Sequence, residues 1–517
     1  MTAKSLILTL ALPVLLAGCA VGPDYERPDL SAPPPAQWTG QAAAREEQPQ
    51  LAGAAERPTL AGALPDSGAG AAWRWWSAFG DTTLDALVDD ALVYNNDLVA
   101  AAGRVLEARA LLGGAQSARW PTVEVGGTAS RAKTSASQLQ FPVPLHNDAF
   151  DVSATARWEV DLWGRLSRGK EAALATLVAS ESDRRAVAQG LVAEVVRTWL
   201  QIRELQLQVA LTARTVASFE NSLATVRDRY ARGLVSPLDV HLAGQNLSAA
   251  RAAEPRFNQQ LNQARRRLEI LVGRYPAGTI VASDREDPDG GGYLLVAAMP
   301  EPLGPVPAGL PSELLERRPD LQAAEARLHA SVARVGEAKA LLYPRLSLTG
   351  SYGTKTREFE DLFKSGTDAW SLVGNLVMPL INRGASKAQI AAAEARAEQA
   401  TAAYRQTVLE AFAEVENALD QDVFQSRQER YLAESATQAR RSVELAEDRY
   451  RRGLDNLLVT LESQRRLFNA ESQLLTTQRE RRSARVNLIQ ALGGPWETAP
   501  ALSLNDPSGT AAEGVRP

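Results

Sequence analysis

Several stretches of the chain alternate between apolar and polar residues with the period of a β-strand. From 150 to 162 the even positions are apolar and the odd positions are polar, and in the second half Leu346 and Leu348 alternate with polar neighbours. A period of two predicts strands with one apolar and one polar face. Weaker patterns add two more strands, the last with Val373 and Val377 on its nominally polar side. We expect strands at about 121–133, 150–162, 344–355 and 369–380.

Longer stretches carry apolar residues three or four positions apart, which predicts helices. Val192, Val195 and Trp199 have the spacing of a coiled-coil seam. The pattern predicts helical hairpins at 167–272 and 384–492, and the outgoing arm of the first is about 97 Å long at ~1.5 Å per residue. The return helices are shorter. A helix of about 23 residues before each strand pair supplies the missing length if it stacks end to end on the return helix.

The two halves share their order of elements and part of their amino-acid sequence. DRYARGLVSPLDV at 228–240 returns as DRYRRGLDNLLVT at 448–460, a separation of 220. The opening helices match at 223, and Leu162 and Leu380 match at 218. Each Arg-Gly-Leu phrase ends one helical pattern and precedes another, and glycine accepts the positive φ that follows a helix C-terminus. These phrases are therefore predicted to be the tips of two hairpins in a duplicated chain.

The N-terminus carries an export signal that ends at the chain's one cysteine. Lys4 precedes an apolar run from Leu6 to Ala17, which is too short to span a bilayer but suits a secretory signal. Leu16-Ala17-Gly18-Cys19 resembles the bacterial lipobox, in which the cysteine is lipidated. Ala20 follows, and it is not the aspartate that the resemblance associates with inner-membrane retention. We therefore expect Cys19 to be a lipid anchor in the outer membrane.

Composition argues against several classes of function. The net charge of −5 and the pI of about 5.6 do not suit a nucleic-acid-binding protein. With 3 His and 1 Cys, the chain has little material for a metal site or for a nucleophile–histidine pair. We expect no enzyme activity, no cofactor and no metal.

The predicted strands fit a membrane better than a soluble domain. Their length is that of a tilted strand crossing a bilayer, and a lipidated chain already lies at a membrane. Four strands do not close a barrel, because small barrels need about eight, and open sheet edges are not tolerated in lipid. The barrel must therefore be shared between subunits. The expected fold class is mainly α with a membrane β-barrel, built from duplicated long helical hairpins.

With these features in place, the chain resembles the TolC-type outer-membrane factors, and more narrowly the NodT-like lipoprotein components of resistance–nodulation–division efflux pumps. The resemblance covers nearly the whole chain after Cys19. It is carried by WRWWSAFGDTTLDALV from Trp73, YNNDL from Tyr94, WEVDLWGR from Trp158, RGLVSPLDV from Arg232, RRPDL from Arg317 and RGLDNLLVTLESQRRLF from Arg452.

The resemblance implies a homotrimer, with a 12-stranded barrel above a helical tunnel that reaches into the periplasm of a Gram-negative bacterium. It implies a passive exit duct for drugs or toxic compounds. The partners that it implies are a periplasmic adaptor, which docks on the hairpin tips, and an inner-membrane resistance–nodulation–division pump. The positions that match the docking motif are Arg232, Gly233, Leu234, Arg452, Gly453 and Leu454.

The resemblance also implies a closed periplasmic end held by charged residues near the second tip. The matching neighbourhood is Asp455 with Arg449 and Arg451. Three symmetric carboxylates in a narrow aperture would repel one another or bind cations, so a gate is physically sensible. An alternative role for Asp455 is the N-cap of the next helix. The first copy has Val235 at this position, so any acidic ring comes from the second copy.

The expected organisation follows the duplication. It comprises a signal peptide (1–18), a lipidated extended arm (19–80), the first repeat (81–275), an equatorial linker (276–310), the second repeat (311–494) and an equatorial tail (495–517). An alternative function is the outer-membrane component of a type I secretion system. A periplasmic adaptor or a structural lipoprotein fits less well, because adaptors carry one hairpin and no set of four long strands.

Overall fold

The computed structural model describes residues 20–28, 38, 74–134, 145–280, 298–304, 306 and 311–494. The predicted signal peptide, Cys19, most of the arm and the tail from 495 lie outside these residues. The chain is mainly helical with one sheet. Its elements in order are α1 (Thr82–Tyr94), α2 (Asn96–Ser117), β1 (Thr122–Thr134), β2 (Leu145–Val160), α3 (Arg165–Ala231), α4 (Pro237–Leu271), α5 (Leu314–Arg317), α6 (Pro319–Ala340), β3 (Arg345–Thr356), β4 (Asp368–Val377), α7 (Ala385–Arg451) and α8 (Leu457–Ala491).

The four strands form one antiparallel sheet in the order β1-β2-β3-β4. β2 begins at Leu145, earlier than the expected position near 150. The reason is the backbone ladder, which continues to the pair Thr134–Leu145 whatever the side chains are. β1 and β4 are the edge strands, and each has one neighbouring strand among the described residues.

The register sorts the side chains into two faces. Val125, Ala154, Tyr352 and Trp370 lie in one row across all four strands. The next row on the opposite face consists of Glu124, Thr155, Ser351 and Ser371, where the two serine hydroxyls are 2.8 Å apart. The apolar residues at the edges are open to solvent; Val125 is 78% exposed and Trp370 is 74% exposed. One sheet face is therefore apolar, and no other part of the described residues covers it.

The hairpins are equal in length in the two halves. α3 and α7 have 67 residues each, and α4 and α8 have 35 each. Gly164 and Gly384 both take positive φ just before the long helix, at a separation of 220. The match of Leu162 with Leu380 at 218 is therefore wrong as a structural equivalence. The segment between β4 and α7 is shifted by two residues relative to that match. The glycine turn before each long helix gives the structural alignment of the two repeats.

The described residues divide into two compact units that cut across the repeats. The first unit draws on Met1–Ala32, Ala100–Arg184 and Asp320–Val408, and it includes the sheet. In it the segment 20–28 packs on residues of both halves. Arg168 of α3 donates to the carboxylate of Asp24 at 2.6 Å, and Arg27 donates two bonds to Glu325 of α6. The residues just after Cys19 are thus firmly held.

The second unit draws on Pro33–Val99, Arg185–Pro319 and Leu409–Pro517. Its core gathers Trp76, Trp199 and Ile202 together with Val192 and Val195, which confirms that the residues with coiled-coil spacing are buried together. The carboxylate of Asp81 caps α1 by accepting from the backbone N–H groups of Thr83 and Leu84. Trp73 lies outside the described residues.

The short and return helices join end to end in both repeats of this unit. Asn95 caps α2 by accepting from Asp97 and Leu98, and its amide donates to the carbonyl of Leu271 at 2.9 Å. In the second repeat Arg318 donates to the carbonyl of Ala491 at 3.1 Å. One side chain therefore links the C-terminus of each return helix to the start of the short helix that opens the same repeat. None of the described helices is long and apolar enough to cross a membrane.

Candidate functional site: the paired hairpin tips

Both Arg-Gly-Leu phrases form the same helix-ending turn. In the first tip Gly233 has φ +74°, its N–H donates to Tyr230 O at 2.8 Å, and Leu234 N donates to Arg229 O at 2.9 Å. These two bonds close a Schellman motif, in which only glycine takes the left-handed position without strain. Arg232 pairs with Asp228 one turn back at 2.9 Å. Leu234 is 68% exposed at the end of the turn.

The second tip repeats this geometry closely. Gly453 has φ +76°, and the bonds from Gly453 N to Tyr450 O and from Leu454 N to Arg449 O are 3.0 and 2.9 Å. Arg452 pairs with Asp448 at 3.0 Å, and Leu454 is exposed. Each tip therefore presents an arginine, a turn without a side chain and an exposed leucine.

The residue after the exposed leucine differs between the two tips. In the second tip Asp455 lies beside Arg449, with Nε 2.6 Å from Oδ2 and Nη2 3.2 Å from Oδ1. This two-point contact from Arg449 lowers the pKa of the Asp455 carboxyl below its usual range. Val235, at the equivalent position of the first tip, has no carboxylate that could bind an arginine. Arg451, expected in the same charged group, turns away and donates to Glu447 O.

Asp455 is not the N-cap of α8, so the alternative role considered for it is wrong. The cap is Asn456, whose side-chain oxygen accepts from Val459 N at 3.2 Å. In the first tip Ser236 and Asp239 form a capping box around the start of α4. The carboxylate of Asp455 therefore bonds to Arg449 and not to the start of α8.

The two tips are also joined to each other through residues that the sequence did not single out. Arg229 of the first tip donates to the carbonyl of Arg451 at 2.9 Å and lies over the ring of Tyr450, 4.4 Å from its centroid. Tyr450 and Leu457 belong to an apolar cluster with residues of the first hairpin, among them Phe219 and Val226. A cavity of about 500 Å³ lies beside this cluster.

Above the tips, α3 and α8 meet along a ladder of polar side chains. Gln464 donates to Ser218 and Ser222, and Gln208 and Ser472 exchange two bonds. Further along, Glu204 accepts from Thr476 and Arg479, and Gln189 donates to Gln490 O. Polar pairs of this kind give no hydrophobic period, so the sequence pattern does not reveal them. Among the described residues no group of His, Cys, Asp or Glu could hold a metal ion.

The arrangement of long paired hairpins and one amphipathic sheet is shared with proteins of known family. The sequence profile described as Outer membrane efflux protein matches residues 87–274 and 310–494. The chain belongs to this family. The match covers both repeats and both tips.

Relatives within the outer membrane efflux protein family align over almost the full chain. The outer membrane protein OprJ of Pseudomonas aeruginosa is 34% identical over 494 residues, which covers 95% of this chain and 96% of OprJ. The solvent efflux pump outer membrane protein SrpC of Pseudomonas putida is 32% identical over 489 residues, which covers 94% and 97%.

Solved structures of outer-membrane channels have the same fold as this chain. The outer-membrane channel OprN superposes with a TM-score of 0.79 at 30% identity, covering 92% of this chain and 100% of that chain. The MtrE outer membrane channel of Neisseria gonorrhoeae, in its open state, gives a TM-score of 0.72 at 25% identity, covering 92% and 98%.

Membership of the family confirms the expected fold class, location and general function. The chain is the outer-membrane component of an efflux system. Its family is one of outer-membrane efflux proteins and not of enzymes, and its relatives include an outer-membrane channel and an outer-membrane protein of a solvent efflux pump.

Proposed function

We propose that three copies of this chain form one continuous passive duct, which opens at its hairpin tips when adaptor and pump engage them. The observation that carries this proposal is the sheet. It has one apolar face, one polar face and two edge strands, β1 and β4, and its edge residues Val125 and Trp370 are exposed. Such a sheet is stable in lipid only when other copies complete it into a barrel. The resemblance to TolC-type factors supports three copies and a barrel of 12 strands.

The duct needs an anchor, and Cys19 is proposed to supply it. The residue that follows it, Ala20, packs against the backbone of Gly164, where a Cβ atom would lie 2.7 Å from the Cα of Ala20. Val21 N donates to Trp163 O at 3.1 Å. A lipid on the preceding residue therefore starts close to the end of β2, where acyl chains and an apolar sheet face can share one bilayer.

The tips are proposed to carry docking and closure separately. Leu234 and Leu454 are exposed apolar side chains. Each follows a glycine, which adds no side chain to the turn, and this surface suits the end of an adaptor hairpin. Asp455 with Arg449 occurs in the second tip only, and three such pairs around an axis would form a charged constriction. Arg451 contributes positive charge beside it without pairing to Asp455.

The assembly is tested by the mass of the full lipidated protein, extracted from outer membranes in detergent. Multi-angle light scattering with detergent correction should give three chains of 55.6 kDa less the signal peptide. A protein that stays as one chain, and that dissolves without detergent once its acyl chains are removed, would refute the shared barrel.

A further inference from the structure

A cavity near the hairpin tips lies outside the docking turns and the Asp455–Arg449 pair. It has a volume of about 500 Å³ and lies within the second compact unit, between α3 and the second hairpin. Its lining includes Arg214 and Asn221 of α3, Tyr450 and Arg451 of α7, and Leu457 and Thr460 of α8. Pockets that hold small molecules in proteins measure roughly 300–1,000 Å³. This tip cavity is therefore large enough for a compact organic ligand.

Two arginines give the tip cavity a positive charge that is only partly balanced. The arginines of both tip turns pair with aspartates. Arg214, by contrast, has no hydrogen bond or ion pair to any described residue, and the Arg451 guanidinium bonds only to the carbonyl of Glu447 in its own helix. Of the described residues that line the cavity, Glu447 alone has a carboxylate, which accepts from Gln464 at 2.9 Å. Two guanidinium groups against one carboxylate favour an anion.

Tyr450 and Leu457 give the tip cavity an apolar wall. Both are buried and belong to the apolar cluster that joins the two hairpins. Tyr450 is 6% exposed, whereas its repeat equivalent Tyr230 is 48% exposed. The Tyr450 hydroxyl has no hydrogen-bond partner among the described residues. A buried hydroxyl without a partner is destabilising, because it has lost its bonds to water, and a ligand oxygen in the cavity would supply one.

The duplication shows that the fold of a hairpin does not require these charges. At the structural offset of 220, the equivalent of Arg214 is Glu434, and the equivalent of Arg451 is Ala231. The two positive residues are therefore not copies of a common structural feature. They meet only where α3 of the first hairpin lies beside the second hairpin, which indicates a role specific to this cavity.

We propose that the tip cavity binds an aromatic acid, that is, a compact aromatic body with one sulfonate or carboxylate group. The acidic group pairs with the guanidinium groups of Arg214 and Arg451, and the ring packs against Tyr450 and Leu457. Because the walls come from both hairpins, an occupant stabilises the arrangement in which Arg229 bonds to the carbonyl of Arg451. It thereby opposes separation of the tips, and the effect on opening is the one consequence that rests on the proposed duct.

Binding of naphthalene-2-sulfonate tests the site, with the uncharged naphthalene-2-sulfonamide as the matched ligand. Isothermal titration of the full lipidated protein in detergent, corrected by titration into detergent alone, should give a dissociation constant below about 1 mM for the sulfonate. The sulfonamide should bind at least about tenfold more weakly, because it has no charge to pair with an arginine. Equal affinities for the two ligands would overturn an anion site, and no binding of the sulfonate beyond the detergent blank would overturn the site altogether.

Variants of the lining place the bound sulfonate. R214Q and R451Q should each weaken its binding about tenfold. R227Q is the matched control, because Arg227 is an exposed residue of α3 that is not among the described residues lining the cavity, and its affinity should stay within about twofold. A217W fills part of the cavity from an exposed position without removing a charge, and it should abolish binding. Unchanged binding in R214Q, R451Q and A217W would show that the sulfonate binds elsewhere and would overturn the proposal.

Hydrogen exchange and light scattering on the same samples separate this inference from the proposed function. Saturating sulfonate should slow amide exchange at 214–225 of α3 and at 447–460 of the second hairpin together, and leave the sheet unchanged. Protection of one hairpin only would contradict an occupant that joins the two. Trimers that fail to bind the sulfonate overturn the site and leave the duct standing. Single chains that bind it overturn the duct and leave the site standing, since the cavity is lined by one chain.

Discussion

One residue distinguishes two tips that are otherwise nearly identical. Gly233 and Gly453 make the same turn, but Val235 of the first tip is replaced by Asp455, which binds Arg449 at two points. A pair at the surface of one chain contributes little to stability. Repeated around an axis in a narrow aperture, the same pair changes the barrier to ions, so its effect should appear in conductance rather than in folding.

Replacing Asp455 by alanine should raise the leak conductance of the closed duct several-fold, because Arg449 loses the partner that fixes it across the constriction. Conductance in planar bilayers measures this. D228A is the matched control, since Asp228 also pairs with an arginine in a tip but lies in the tip that has no proposed gate. Equal leak from both variants would leave Asp455 with no gating role.

The pH dependence of the leak should be flat above about pH 5. Arg449 lowers the pKa of Asp455 from an ordinary value near 3.9. A carboxyl with a lowered pKa keeps its interaction above the ordinary pKa and loses it as pH falls through the lowered one. The leak of the wild type should therefore rise only below about pH 4. A rise already between pH 7 and 5, measured at constant ionic strength, would contradict control by this pair.

Within a single chain, the tip glycines are needed for backbone geometry. A Cβ atom on Gly453 would meet nothing within 4 Å, so the cost of G453A comes from its φ of +76°, about 1 kcal/mol. Amide hydrogen exchange at the end of α7 should become about fivefold faster. Gly103 in α2 also has open space and is in helical conformation, so G103A should slow exchange locally instead. The same sign in both variants would contradict the turn argument.

At the scale of elements, a single side chain joins the start of a short helix to the end of a return helix. Asn95 caps α2 and bonds to the last turn of α4, and it is 5% exposed. N95A should cost about 1–2 kcal/mol by losing the cap and the link together. Hydrogen exchange should accelerate in the first turn of α2 and in the last turn of α4. N246A, which removes one bond inside α4, should change neither site.

The helices and strands were predictable because their faces differ in polarity over many residues. The exact ends and contacts of these helices and strands were less predictable. The ladder from Thr134 to Leu145 uses backbone bonds that no side-chain pattern reports. Asn456 rather than Asp455 caps α8, since both residue types suit a cap and their geometry decides. The polar ladder of Gln208 and Ser472 has no period to detect.

At the scale of the whole molecule, the tips could be located from the sequence because the chain contains two copies of them. The link between the tips could not, because Arg229 and Tyr450 meet only when two distant hairpins fold together. The exposed apolar sheet face is accounted for by the proposed barrel, in which other copies complete the sheet.

The most direct test of this account is the conductance of the full lipidated protein reconstituted in planar bilayers. Three chains sharing one barrel should insert as a unit and give uniform steps of one size, small at rest and larger in the D455A variant. Insertion activity should scale with the trimer fraction and be absent from single chains. Conductance from fractions that contain only single chains, or no conductance from verified trimers of D455A, would contradict the proposed duct.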